Sequence, residues 1–359
     1  MDASPPVFSG VLSQSGVIAP GTVFGRYRVE VMLGRGGMGT VYRASDLVLG
    51  RKVALKIPSF HADERPDIVR RFAREAKAAA AFDHPSLCPV FDFGEVSGVH
   101  YLTMPYLEGR PLSSVLKERR LETVEAVSIV RDLATALAEA HDRGVVHRDL
   151  KPANVMMNPG RGPVVMDFGL ALLAEGEDSR LTQTGAFMGT VPYMSPEQID
   201  GELDAIGPAS DQYSLGVILY ELLSGRLPFE GKPTTIAIKI KTESPPPLQT
   251  LDPGIDWRIA AVCNRAMAKL PQDRFPGCRD MAEALGAWLR RENPPGRTGT
   301  KASSTPEVNR RARSEGAVHP AFAPTKALVS GGPGPDREPE VVLIPVDLVS
   351  DLHSLPATR

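Results

Sequence analysis

The sequence predicts an α+β fold in two lobes, and three observations predict it. From Tyr27 onward, apolar and polar residues alternate around a glycine turn, YRVEVMLG then TVYRASD then KVALKI, the pattern of antiparallel strands. A single helical segment, PDIVRRFAREAKAAAAF at 66–82, interrupts the strands, and from about Leu112 the chain reads as mostly helical. At 359 residues there is room for one large two-lobed domain.

Taken in order, residues 1–26 are rich in Ser, Pro and Gly and read as a flexible leader. The β-rich lobe spans 27–107. Its helix carries Ile68, Phe72, Ala79 and Phe82 on one face, with Glu75 on that same face, and short strands follow at 90–95 and 99–104. The helical lobe spans 108–290. Its strongest apolar run, 213–223, is broken by Ser214, Gly216 and Glu221 and reads as a buried helix, not a membrane span. Residues 291–359 form a tail. Eight prolines, six glycines and few large apolar residues at 291–340 predict disorder, and the apolar patch VVLIPVDLV at 341–349 is too short for a domain.

Composition narrows the function classes. A 42% hydrophobic and 23% charged chain can bury a sizeable core, and a net charge of −2 gives no basis for nucleic-acid or membrane affinity. Cys88, Cys263 and Cys278 lack metal-like spacing and read as reduced thiols. The start MDASPPVFSG has no basic residue ahead of an apolar core, so no signal peptide is expected and the protein should be cytoplasmic.

The stretch HRDLKPANV at 147–155, followed by DFG at 167–169, carries the chemistry. Moving a phosphoryl group to a hydroxyl requires a carboxylate for the hydroxyl, metal ions for the phosphates and fixed positive charge for the transition state. Asp149 can accept the hydroxyl proton, Lys151 can sit on the γ-phosphate, and Asn154 and Asp167 can each hold a metal. Upstream, GRGGMGTV at 34–41 fits a phosphate-cradling loop through Gly34, Gly36 and Gly39. Taken alone this pattern is weak, since dinucleotide folds share it; those need a strand and then a helix, whereas here a second strand follows. Glu75 on an apolar helix face needs a partner, and Lys56 in VALKI is the natural one, with Arg71 and Arg74 as competitors.

Together these motifs resemble the eukaryotic-type protein kinases over about residues 27–289. The wording GTVFGRYRVEVMLGRGGMGTVYRA and GTVPYMSPEQ is most similar to the bacterial Hanks-type serine/threonine kinases. The resemblance implies a bilobal protein-kinase-like fold with one regulatory helix, and ATP lying between the lobes with Mg2+, or Mn2+ in its place. Nucleotide contacts would come from Val41, Ala54, Lys56 (on the α- and β-phosphates) and Glu75, with Met104 as gatekeeper and Pro105 and Leu107 in the hinge. Proline at 105 departs from the common glutamate, but adenine needs only the carbonyl there.

Further positions follow from the same resemblance. His147 would pack on Phe168, stacked with Ala79 and Val90 as a spine joining the lobes. Thr190 would bond Asp149 and Lys151, Asp211 would fix the catalytic-loop backbone, and Arg274 would pair with Glu197 of SPE, which stands where APE is usual. Lys151 in D-L-K-P-x-N is similar to serine/threonine kinases, not tyrosine kinases. Thr182 and Thr184 lie where related bacterial kinases are phosphorylated, and Arg148, beside Asp149, is a charge that a phosphothreonine would neutralise. Protein substrates are expected, with a homodimer for phosphorylation in trans. A catalytically dead scaffold would lack Lys56, Asp149 or Asp167, and none is missing. A small-molecule phosphotransferase usually lacks the segment with SPE, Thr190 and Arg274.

Overall fold

The alternating residues of the first lobe build a six-stranded antiparallel sheet in the order β1-β2-β3-β4-β6-β5. Its strands are β1 (Val23–Phe24), β2 (Tyr27–Gly36), β3 (Gly39–Asp46), β4 (Arg51–Pro58), β5 (Asp92–Val96) and β6 (Val99–Pro105). The computed structural model describes residues 17–36, 39–59, 66–168, 190–202 and 204–292. Thr182 and Thr184, Gly169 of DFG, and the tail with its patch at 341–349 lie outside them.

Strand register sorts the side chains onto two faces, because directly paired residues point the same way. Val41 pairs with Lys56, Lys56 with Leu102 and Ala54 with Met104, so all five share one face. On the opposite face Tyr42, Ala44, Val53, Leu55 and Ile57 pack with Phe24, Tyr27 and Val29. β4 is the inner strand between these layers and is buried from Val53 to Ile57.

Part of the stretch expected to be a flexible leader is built into the sheet. Residues 17–26 belong to this lobe: Ile18 and Phe24 are fully buried, β1 pairs with β2, and the Ile18 N–H donates to Tyr42 Oη at 3.0 Å. A Ser/Pro/Gly composition hid two apolar anchors, Ile18 and Phe24, which pack in one buried cluster with Tyr27, Tyr42, Val53 and Leu55.

Helix α1 (Pro66–Ala80) turns Phe72, Ala76 and Ala79 inward, with Phe82 just beyond its end. The second lobe begins at β7 (Arg110–Pro111), which forms a small sheet with β8 (Val155–Asn158) and β9 (Gly162–Val165). Around it lie α2 (Leu112–Glu118), α3 (Thr123–Asp142), α4 (Pro196–Asp200), α5 (Pro208–Ser224), α6 (Pro233–Thr242), α7 (Leu248–Leu251), α8 (Trp257–Ala266) and α9 (Cys278–Glu292). α5 is buried continuously from Ser210 to Tyr220, and the lobe is built around it, with α3 and α8 against it and α9 against α3. Gly216 lets α8 approach, since a Cβ there would meet Met267 and Ala266 at 2.8 and 2.9 Å. Among the described residues no helix is long and apolar enough to cross a membrane.

Candidate active site

The loop between α3 and β8 holds Asp149. Its backbone is fixed by Asp211 near the start of α5, whose carboxylate accepts the N–H groups of His147 (2.8 Å) and Arg148 (2.9 Å). His141, in the last turn of α3, reaches the same carboxylate at 2.8 Å. Burial by itself would raise the Asp211 carboxyl, but the hydrogen bonds it accepts from His141 and from the His147 backbone N–H outweigh that and hold it below the ordinary aspartate range.

Around Asp149 the polar groups converge. Lys151 Nζ lies 3.0 Å from Asp149 Oδ2 and donates to Thr190 Oγ1 at 2.7 Å. Asn154 Nδ2 donates to the Asp149 carbonyl at 2.7 Å and to Oδ2 at 3.1 Å. With its nitrogen spent on Asp149, the amide offers its oxygen to a cation. Asp149 is buried, a condition under which a carboxylate is kept only with such partners.

Asp167 follows β9 with a left-handed backbone, φ 60°. Its Oδ1 accepts Lys56 Nζ at 2.8 Å. Burial would raise this carboxyl, yet the Lys56 ammonium, with a smaller contribution from Lys151, keeps it below the usual range. Here the structure corrects the expectation for Lys56. Among the described residues its ammonium ion-pairs with Asp167 and not with Glu75. Lys56 is buried, and a buried ammonium takes the carboxylate that reaches it in hydrogen-bonding geometry. Asp167 does so from 111 positions away, a distance at which sequence spacing carries no information. Glu75 lines the same cavity as Asp167 and Phe168.

Above this pair, Ala54 and Met104 share an apolar cluster with Phe72, Cys88, Leu102 and Val164, against which Val41, Leu107 and Met166 pack. Pro105 ends β6 opposite Val53. The glycine strands close over it, with Gly36 paired to Gly39. Gly39 has φ +132°, and a Cβ there would come 2.1 Å from the Ile57 carbonyl. Gly34 and Gly36 meet nothing within 4 Å, leaving their backbone open to an approaching group. Phe168 meets His147 edge-on at 5.0 Å and Phe82 at 4.8 Å, in one core with Ala79 and Val90.

Four residues at the site carry no signal of that role in the sequence. His141 has no motif of its own. Gln198 donates to the Arg148 carbonyl and was legible only as the fourth residue of a Ser-x-x-Gln helix start. Cys88 and Met166 join the apolar cluster from positions with no pattern.

The donor set suits a hard cation. No group of three or more His, Cys, Asp or Glu gathers among the described residues, so Asp167 and Asn154 would supply two oxygen ligands to a divalent ion and the rest would come from water and phosphate oxygens. Magnesium binds in that way.

Residues 27–286 match the protein kinase domain family. The chain belongs to that family. Among its relatives are the probable serine/threonine-protein kinase PknB of Corynebacterium glutamicum, 40% identical over 276 residues, and PrkC of Bacillus subtilis, 36% identical over 261. These alignments cover 74% and 72% of this chain but 42% and 40% of the relatives, so the chain spans less than half their length. PknA of Mycobacterium tuberculosis is 38% identical over 298 residues, 81% of this chain and 66% of that one. The crystal structure of the Mycobacterium tuberculosis PknI kinase domain superposes with a TM-score of 0.60 at 30% identity, covering 76% of this chain and 99% of that one. The kinase family in general uses ATP and a divalent metal.

Proposed function

We propose that this chain is a protein serine/threonine kinase that transfers the γ-phosphoryl group of ATP to hydroxyls of protein substrates, with Mg2+ as the ordinary metal and Mn2+ able to replace it. The observation that carries the reading is the convergence on Asp149: Lys151 at 3.0 Å, bridging to Thr190, and Asn154 at 3.1 Å. Asp149 orients the substrate hydroxyl and takes its proton, and Lys151 lays positive charge beside the transferred group. Lys56 exchanges Asp167 for the α- and β-phosphates. Bound metal supplies charge against the phosphate oxygens, and Asp167 and Asn154 are the residues that hold it. Such a transfer depends on positioning and electrostatics more than on base strength. Val41, Ala54, Met104 and Leu107 enclose the adenine, and ATP as donor argues for action in the cytoplasm.

Activation belongs to the same reading. Thr182 and Thr184 are autophosphorylated, in trans between two copies. In support, the buried Arg148 Nε has no hydrogen-bond partner among the described residues, so the guanidinium keeps a donor for a phosphate.

Incubation with labelled ATP, Mg2+ and a generic basic protein tests the function. Label on serine and threonine that disappears with Asp149→Asn supports it. Label that persists in that variant, or none from the intact chain, overturns it.

A further inference from the structure

Arg148 has φ 67°, a left-handed conformation that residues with side chains seldom adopt and that persists only where the surroundings impose it. Two buried or half-buried side chains impose it. Asp211 on α5 accepts the Arg148 N–H, and Gln198 on α4, 50 positions away, donates Nε2 to the Arg148 carbonyl at 2.6 Å. The peptide unit that this carbonyl begins ends in the Asp149 N–H, which donates to His147 Nδ1 at 3.2 Å. The plane leading into Asp149 is therefore held at both ends. Rotating it would swing the Asp149 side chain away from Lys151 and Asn154.

The other end of the Gln198 amide caps its own helix. Its Oε1 accepts from the Ser195 N–H at 3.0 Å and from Ser195 Oγ at 3.1 Å. Turning the amide over would set oxygen against the Arg148 carbonyl and nitrogen against the Ser195 N–H, so the hydrogen bonds define its orientation. Ser195 closely follows Thr190, the partner of Lys151. One side chain thus links the segment after Thr190 to the peptide before Asp149.

We propose that Gln198 is a positioning residue for phosphoryl transfer: through the Arg148 carbonyl it sets the orientation of Asp149. This rests on the kinase reading above. The two functions of the amide separate in Gln198→Glu. A glutamate at this helix position still accepts from Ser195 as a capping box does, but when ionised it has no proton to give the Arg148 carbonyl.

The test uses the full chain, a peptide substrate, and the wild type, Gln198→Glu and Gln198→Leu. For Gln198→Glu we expect a thermal midpoint within a few degrees of wild type, kcat lower by at least about tenfold, and KM for ATP within about twofold. As pH falls from 8 towards 5, a growing fraction of the introduced carboxyl, ordinarily titrating at about 4.3, carries a proton and regains a donor, so the ratio of variant to wild-type kcat rises. Gln198→Leu loses both functions, and its ratio stays flat with pH. Wild-type kcat in Gln198→Glu would overturn the proposal. So would a loss that follows the unfolded fraction with no recovery at low pH. A wild-type chain that phosphorylates no protein would instead sink the kinase reading itself.

Discussion

Arg274 and Glu197, 77 positions apart, form a bidentate ion pair of 2.7 and 2.8 Å with the guanidinium wholly buried. The same guanidinium donates to the carbonyls of Ala209, Ala268 and Lys269, and Ser210 Oγ donates to Glu197. α4, the start of α5 and the turn before α9 therefore share one charged centre. Removing one partner leaves an uncompensated buried charge, and Glu197→Gln or Arg274→Met is expected to cost about 3–5 kcal/mol in urea unfolding. Replacing both partners by apolar residues should not restore stability, because three carbonyls lose their donor. Full recovery in the double variant would show that the pair is dispensable.

Lys56→Met, Asp167→Asn and Asp149→Asn are each expected to abolish transfer. Asp149→Asn should keep ATP binding, since Asp149 touches the hydroxyl side of the reaction. Asp167→Asn leaves the buried Lys56 ammonium without its carboxylate, so it should also lower the thermal midpoint by several degrees. Calorimetric ATP titration beside a turnover assay separates these effects. Near-normal turnover in Asp149→Asn would refute its assigned role.

Gly39→Ala is expected to be far more harmful than Gly34→Ala. At Gly39 a Cβ meets the Ile57 carbonyl at a left-handed φ, a strain of about 1–3 kcal/mol before any clash, whereas Gly34 has open space. ATP affinity should fall at least tenfold for Gly39→Ala, and equal effects at the two positions would contradict the loop geometry.

Mass spectrometry of protein expressed alone should find phosphate on Thr182 and Thr184, and the double alanine variant should turn over several-fold more slowly. An unmodified loop in a fully active enzyme would mean that Arg148 finds its counter-charge elsewhere.

Acid should unfold the kinase lobes steeply. Burial would raise the carboxyls of Asp211, Glu197 and Asp167, but His141, Arg274 and Lys56 respectively hold them below their ordinary values. A carboxyl lowered in the folded state binds fewer protons there than in the unfolded chain. Its stabilisation is complete above the unfolded value, at about pH 4, and is lost as pH falls through the lower folded value. Unfolding free energy from these groups should be level between pH 5 and 7 and drop below pH 4. A level profile down to pH 3 would show that the three carboxylates carry no such linkage.

The sequence by itself determined the fold class, the family and the residue types of the site, because HRDLKPANV, DFG and the glycine loop are local strings whose order is their signal. The α5 run was legible for a similar reason: a segment this rich in large apolar residues has to be enclosed, even with Ser214, Gly216 and Glu221 within it. What only the tertiary structure decided is which charged groups meet. Lys56 could be matched to Glu75 by helix periodicity, but the pair it makes is with Asp167, brought in by a left-handed turn after β9. His141 on Asp211 and Gln198 on the Arg148 carbonyl also join segments 70 and 50 positions apart. Periodicity reports which face of an element is buried, while hydrogen bonds of a few ångströms between elements depend on how those faces are set against one another, and that is fixed by packing.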